Sequence, residues 1–250
     1  MVIAHATDLS GDDAAAFIHA SGLAAASASR LVSVHGNAPP ATASQLPDAA
    51  VLATRWSRTI DHVRMCHECC DDVEDTVLDA VQKLKPDLVV LGTHARHGLR
   101  ALLHASVGEA LARNLTVPAL IVPNRCRGFV DEATGAIDLR RILIPAGTVS
   151  QAQRGLAAAR SLLALAGVTN AELEIVHVGD DDPEIEQLGV PVTRASNHLE
   201  SAILGVAKAR HACLIVMPTR GHDSVGDVLL GSHTEHVIRD AECPVLSVPS

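Results

Sequence analysis

The sequence predicts an α/β protein built as two doubly wound, parallel five-stranded sheets in tandem. Short apolar runs alternate with helical stretches along the whole chain, an order that produces parallel sheets covered on both faces. A loop pattern also occurs twice. Leu91-Gly92-Thr93-His94-Ala95 is followed after nine residues by Ala105-Ser106-Val107-Gly108-Glu109, and Met217-Pro218-Thr219-Arg220-Gly221 after nine residues by Gly231-Ser232-His233-Thr234-Glu235. Residue 92 corresponds to 218, 105 to 231 and 109 to 235, a constant offset of 126, which marks an internal repeat.

The elements follow in order. Val2 to Thr7 reads as a strand, and Ser10 with Asp13 three residues on resembles a helix-capping pair. The Ala-rich stretch to about Ala28 reads as a packed helix and Arg30 to His35 as a second strand. A looser stretch with Pro39, Pro40 and Pro47 precedes a helix around Ala49 to Ser57, and Asp61 to Met65 is a third strand. In Asp71 to Leu84, Val73, Val77, Leu78, Val81 and Leu84 share one helical face. Asp87 to Gly92 is nearly all apolar, as a strand buried on both faces should be. Ser106 to Arg113 reads as a helix and Val117 to Val122 as the last strand of the first half.

The second half repeats the order. Strands are expected at Arg141–Pro145, Glu172–Val178, Val190–Arg194, Cys213–Met217 and Pro244–Val248, and helices at Gln151–Ala166, Ser196–Arg210 and Ser232–Arg239. Asp180 to Gly189 reads as a polar loop. The expected domains are residues 1–123 and 140–250, joined by a linker over 124–139 that shows little apolar periodicity. Asp8 aligns with Gly147 at an offset of 139, so the first half carries extra residues, which the Pro-rich stretch accommodates.

Composition narrows the function. Hydrophobic residues are 48% of the 250 but aromatics only 1%, with no Tyr, which argues against base-stacking recognition of single strands. The net charge of −9, with no basic patch, argues against duplex nucleic acid as a partner. No apolar run reaches membrane-span length, and no basic-then-apolar leader opens the chain, so a cytoplasmic protein is expected. The six cysteines are then free thiols by default.

In a doubly wound sheet, ligands sit beyond the carboxyl ends of the strands, where strand order reverses. That brings Pro145-Ala146-Gly147 towards the segment from Met217 to Ser232. The helix starting at Ser232 offers unpaired N–H groups and a positive dipole end, and Gly221 and Gly231 let backbone approach an anion.

The segment from Val216 to Val248, with Gly221, Gly231 and Ser232 in place, resembles the C-terminal signature of universal stress protein domains: Gly, two residues, Gly, nine residues, Gly, then Ser or Thr. Ala6-Thr7-Asp8-Leu9-Ser10 is similar to the family's pattern after its first strand. The resemblance spans nearly all of both halves. It implies a fold like that of the adenine nucleotide alpha hydrolases, with strand order 3-2-1-4-5, and ATP or AMP as ligand in some members. It also implies glycines and a hydroxyl that hold phosphates, an Asp that approaches the ribose, and pairing of the halves through their last strands as an intrachain pseudo-dimer, with a homodimer as a further assembly. The favoured contacts are Pro145, Val178, Met217, Arg220, Gly221, Gly231, Ser232, His233 and Thr234 in the second half; Asp8, Gly92 and Ser106 form the weaker set in the first.

Departures from the pattern divide the halves. The second has Pro218 for the first Gly and Gly147 for the Asp; the first keeps Asp8, Gly92 and Ser106 but has Ala95 and Ala105 for two glycines. Where those sites need a left-handed backbone, each Ala costs ~1–2 kcal/mol, and two such costs weaken binding roughly a hundredfold.

Other readings stand beside this one. Ser106/Glu109 and Ser232/Glu235 fit helix capping boxes, and Asp8 can brace its own loop. Cys66-His67-Glu68-Cys69-Cys70 reads as a loop with free thiols, because a structural zinc site needs four ligands and no second Cys pair exists. Cys213 and Cys243 read as core residues. No nucleophile elbow and no Walker lysine is present, so no catalytic residue is assigned and at most a slow ATPase is expected. The alternatives are a protein-interaction module that binds no nucleotide and a His/Cys zinc-binding protein.

Overall fold

The structure, a computed structural model, describes residues 1–36, 44–67, 73–93, 115–124, 126–178, 183–195, 198–218 and 232–249. In the first half, β1 (Val2–Ala6) leads through a 3-10 turn (Gly11–Asp13) into α1 (Ala14–Ser27). β2 (Arg30–Gly36), α2 (Ala49–Trp56), β3 (Asp61–His67), α3 (Val73–Leu84), β4 (Leu88–Thr93) and β5 (Ala119–Pro123) follow. The second half runs β6 (Arg141–Ala146), α4 (Val149–Ala166), β7 (Glu172–Val178), α5 (Pro183–Glu186), β8 (Val192–Ala195), α6 (Leu199–Arg210), β9 (Leu214–Pro218), α7 (Ser232–Asp240) and β10 (Val245–Val248). The short α5 falls where a polar loop was expected, and the helix expected at 106–113 lies outside the described residues.

Each half has the strand order 3-2-1-4-5, but the two sheets are not separate. They join edge to edge into ten strands in the order β3-β2-β1-β4-β5-β10-β9-β6-β7-β8. The junction is antiparallel, with Val245 opposite Ile121 and Ser247 opposite Ala119, and the other neighbours are parallel. Pairing β5 with β10 removes two unpaired edges that would otherwise recruit strands.

The strand registers reproduce both sequence offsets. Ile3 faces Leu88 in the first half and Ile142 faces Leu214 in the second, offsets of 139 and 126. Residues 37–60 separate β2 from β3, whereas only 179–191 separate β7 from β8, so the extra residues lie around the Pro-rich stretch and α2.

Alternate strand residues enter opposite faces of the sheet. Ile3, Leu120 and Ile142 pack with Phe17 and Leu23 of α1 and Leu156 and Leu163 of α4. Ala4, Ile121 and Leu143 pack with Val77 and Val81 of α3, Ile203 of α6 and Val237 of α7. No helix among the described residues is long and apolar enough to cross a membrane.

One local reading changes. The Ser10 side chain does not cap the helix, and Asp13 turns inward and is buried. The segment expected as a linker is folded onto the first half. Val130 bridges Ile137, the Phe129 N–H donates to His19 Nε2 at 3.0 Å, and Trp56 Nε1 donates to the Glu132 carbonyl at 2.9 Å.

Candidate functional site

The strand order reverses between β1 and β4 in the first half and between β6 and β9 in the second, and these points differ. The β1·β4 ladder runs from Ile3–Leu88 to Ala6–Leu91. The β6·β9 ladder holds only Ile142–Leu214 and Leu143–Ile215, stopping two residues earlier at the carboxyl end. Pro145 is the physical reason. The Arg141 carbonyl accepts from the Cys213 N–H, so Arg141, Leu143 and Pro145 direct their backbone groups towards β9. Proline has no N–H to donate there, whereas its counterpart Ala6 has one. The hydrogen-bonded pairing of β6 with β9 therefore stops early at the switch point.

Pro145 and the buried Met217 lie on the strands that border this switch point, and Val178 ends the neighbouring β7. Ser232 and His233 open α7, and Thr234 in the same turn is buried at 6% exposure. Arg220, Gly221 and Gly231 lie outside the described residues. The loop after β6 is closed by its own groups: Gln151 Oε1 accepts the Gly147 N–H at 2.9 Å, and Thr148 Oγ1 caps α4 through the Gln151 N–H. His177, not singled out from the sequence, is buried at the end of β7 and donates from Nδ1 to the Ala146 carbonyl at 3.0 Å. Only its register opposite Ala146 reveals that role.

The first half is arranged otherwise. Asp8 is exposed and its Oδ1 accepts the Ser10 N–H at 2.8 Å, bracing its own loop. Asp13 is buried 3.2 Å from His5 Nε2, and its carboxylate lies where a side chain on Gly92 would have to go. Gly92 is thus required by an acid packed against its Cα, and that acid disfavours an anion beside it. Ser106, Ala95 and Ala105 lie outside the described residues.

The remaining reactive groups lie elsewhere. Cys66 is in β3 rather than a loop, 2.9 Å from His35 Nε2. Burial, then the Arg64 charge, holds His35 below the ordinary histidine range. Burial pushes the Cys126 and Cys243 thiols up to about 12, so both stay protonated. Cys243 is core, while Cys213 is half-buried on a cleft of about 850 Å³ at the opposite, amino ends of the second-half strands. The charges of that cleft are paired as Arg140–Asp138, Arg141–Glu172 and Lys208–Glu242. Among the described residues, no three or more His, Cys, Asp or Glu are grouped to hold a metal ion.

Fold and site together define a tandem, doubly wound α/β protein whose second-half ladder ends early at its switch point. The model of the universal stress protein family matches residues 1–123 and 184–249, and the chain belongs to that family. A universal stress protein from Archaeoglobus fulgidus shares the fold over 99% of this chain and 98% of its own, at a TM-score of 0.63 and 20% identity. A functionally unknown protein from Pseudomonas aeruginosa does so over 99% and 92%, at 0.67 and 16% identity. A curated Thermus aquaticus relative, described as a universal stress protein in the QAH/OAS sulfhydrylase 3' region, is 51% identical over 47 residues. That stretch covers 19% of this chain and 34% of the relative.

Proposed function

We propose that this protein binds an adenine nucleotide, ATP or AMP, as a regulatory ligand in its second half, and that it serves stress adaptation in the cytoplasm through protein contacts the ligand controls. The observation that carries the reading is the early end of the β6·β9 ladder at Leu143–Ile215. It lies at the switch point, where a doubly wound sheet takes its ligand. Gly221, Gly231 and Ser232 supply the phosphate-loop residues next to it in sequence, and the start of α7 supplies N–H groups and a positive dipole end. The domain division at 1–123, 124–139 and 140–250 belongs to the same proposal.

Titration calorimetry of the full chain with ATP and with AMP tests it. Wild type binds, and Gly231→Val, which places a branched side chain in the loop, loses binding; equal affinity in the variant sinks the assignment. No heat at millimolar nucleotide in the wild type favours the interaction-module reading instead.

A further inference from the structure

Four polar side chains form a continuous chain inside the first half. Asp13 Oδ2 lies 3.2 Å from His5 Nε2, His5 Nδ1 lies 3.3 Å from Ser33 Oγ, and Ser33 Oγ lies 2.9 Å from His62 Nε2. Asp13, His5 and Ser33 are buried, while His62 is half-buried on the outermost strand β3. The Phe17 ring packs against both imidazoles, with centroids 5.5 Å from His5 and 5.2 Å from His62. Among the described residues, neither Asp13 oxygen has an aligned hydrogen-bond donor, and the facing imidazole is what offsets its charge.

Burying such groups is costly unless they are matched, and the second half shows that the fold does not require them. The β1·β4 and β6·β9 registers place Ile144 where His5 stands. His5 opposite Ser33 becomes Ile144 opposite Ile175. The left-handed helix caps Ala28 and Gly167 carry the offset of 139 through α1, which places Ala152 where Asp13 stands. Continuing the β7·β8 register from Ile175–Val192 places Val190 where His62 stands. All four counterparts are apolar, so the chain of polar groups answers to something other than folding.

With Asp13 as a carboxylate and both imidazoles neutral, the donor and acceptor pattern has one self-consistent arrangement. His62 Nε2–H donates to Ser33 Oγ, the Ser33 hydroxyl donates to His5 Nδ1, and His5 Nε2–H faces Asp13. We propose that this chain is a proton relay, which takes a proton from solvent at His62 and stores it on the buried His5–Asp13 pair. A hydronium ion protonates His62 Nδ1. His62 passes its Nε2 proton to Ser33 Oγ, and Ser33 passes its own hydroxyl proton to His5 Nδ1. One proton enters, one water leaves, and no electrons change hands. His62 ends neutral with its proton on Nδ1, and the inner pair ends as imidazolium and carboxylate.

The surroundings favour that resting place. His62 faces His5, Arg64, Asp48 and Asp61; burial first, then the His5 and Arg64 charges, holds it below the ordinary range, with the two carboxylates opposing. His5 faces Asp13, Ser33, His62 and Phe17, and Asp13 faces His5 and the Gly92 backbone. The charge beneath Gly92 therefore changes from negative to neutral on proton uptake.

Nitrogen-15 NMR of the histidines in the full chain, from about pH 8 to about pH 5, tests the relay. At high pH, His5 and His62 should both carry the proton on Nε2. On acidification, His5 should become doubly protonated while His62 switches to the Nδ1–H form, the two changes sharing one midpoint. Ser33→Ala should separate the midpoints, and Asp13→Ala, which installs the second-half residue, should abolish protonation of His5. An Nδ1–H form of His5 at high pH, a shared midpoint that survives Ser33→Ala, or protonation of His5 unchanged by Asp13→Ala overturns the proposal. Amide spectra confirm that each variant is folded, and the wild-type forms decide on their own if one is not.

Discussion

Gly155 of α4 packs directly on Pro218 of β9, and a side chain at Gly155 would stand 3.0 Å from Pro218 Cγ while also running into Ile144. The same two positions in the first half hold Ala16 and Gly92, in contact across α1 and β4. The halves thus exchange their small residue between helix and strand, which lets Pro218 occupy a position where the family pattern has glycine. Gly155→Ala should destabilise the chain by about 1–3 kcal/mol through overpacking. Gly155→Ala with Pro218→Gly should recover part of that loss, because one of the two clashes is gone. Urea denaturation of the full double-mutant cycle measures the coupling, and strictly additive effects would refute the exchange.

Pro145 is expected to control the second-half switch point. Pro145→Ala restores a donor towards β9, so the ladder can close as it does at Ala6. Nucleotide affinity should fall about tenfold, ~1.4 kcal/mol, while stability rises by about 1 kcal/mol. Calorimetry and urea denaturation read the two changes; a stabilised variant with undiminished affinity would separate the ladder's early end from binding.

His19 makes stability pH-dependent. Burial lowers it from 6.5 to about 4, and it serves as a neutral latch: Nδ1–H donates to the Ala15 carbonyl at 2.7 Å, and Nε2 accepts the Phe129 N–H. The unfolded chain takes up the proton first. Its contribution is therefore complete above about pH 6.5 and is lost as pH falls towards 4, by roughly 3 kcal/mol at the limit. Thermal melts from neutral to acid pH should show this loss, and His19→Gln should flatten the slope.

Trp56, the chain's one tryptophan, reports the docking of segment 126–140. Its ring lies against Gly135, which has φ +67°, a backbone form that L side chains rarely adopt. Gly135→Ala should lift the segment from the ring, lower stability by at least about 1–2 kcal/mol, and shift Trp emission to the red. Unshifted emission would mean that the segment stays docked.

Gly92→Ala should force Asp13 out of its pocket and cost about 1–3 kcal/mol, with nucleotide binding in the second half unaffected. Adding Asp13→Ala should relieve most of the strain. A Gly92→Ala variant as stable as wild type would show that Asp13 has room to move.

Much of the fold was legible because its signals are local or periodic. The apolar face of Val77 and Val81, the alternation of Ile3 and Ala4 between two cores, and the offsets of 126 and 139 all reappear in the strand registers. What escaped was pairing at long range. Asp13 read as a partner of Ser10 because spacing reveals only neighbours along the chain, whereas its partner His5 comes from the adjacent strand. Ser33 joins that group from 28 residues beyond His5, and His62 from another 29 beyond Ser33, in strands that meet only in the sheet. His177 escaped for the same reason.

The sequence by itself determined the tandem repeat, the α/β class and the residues that mark the family, because periodic burial and turn chemistry act over a few residues. Only the tertiary structure decided which switch-point ladder ends early and which half buries an acid. Those outcomes depend on which neighbour Pro145 faces, and on the way Asp13, His5, Ser33 and His62 meet across three strands and a turn. Such contacts exist only once the sheet has assembled.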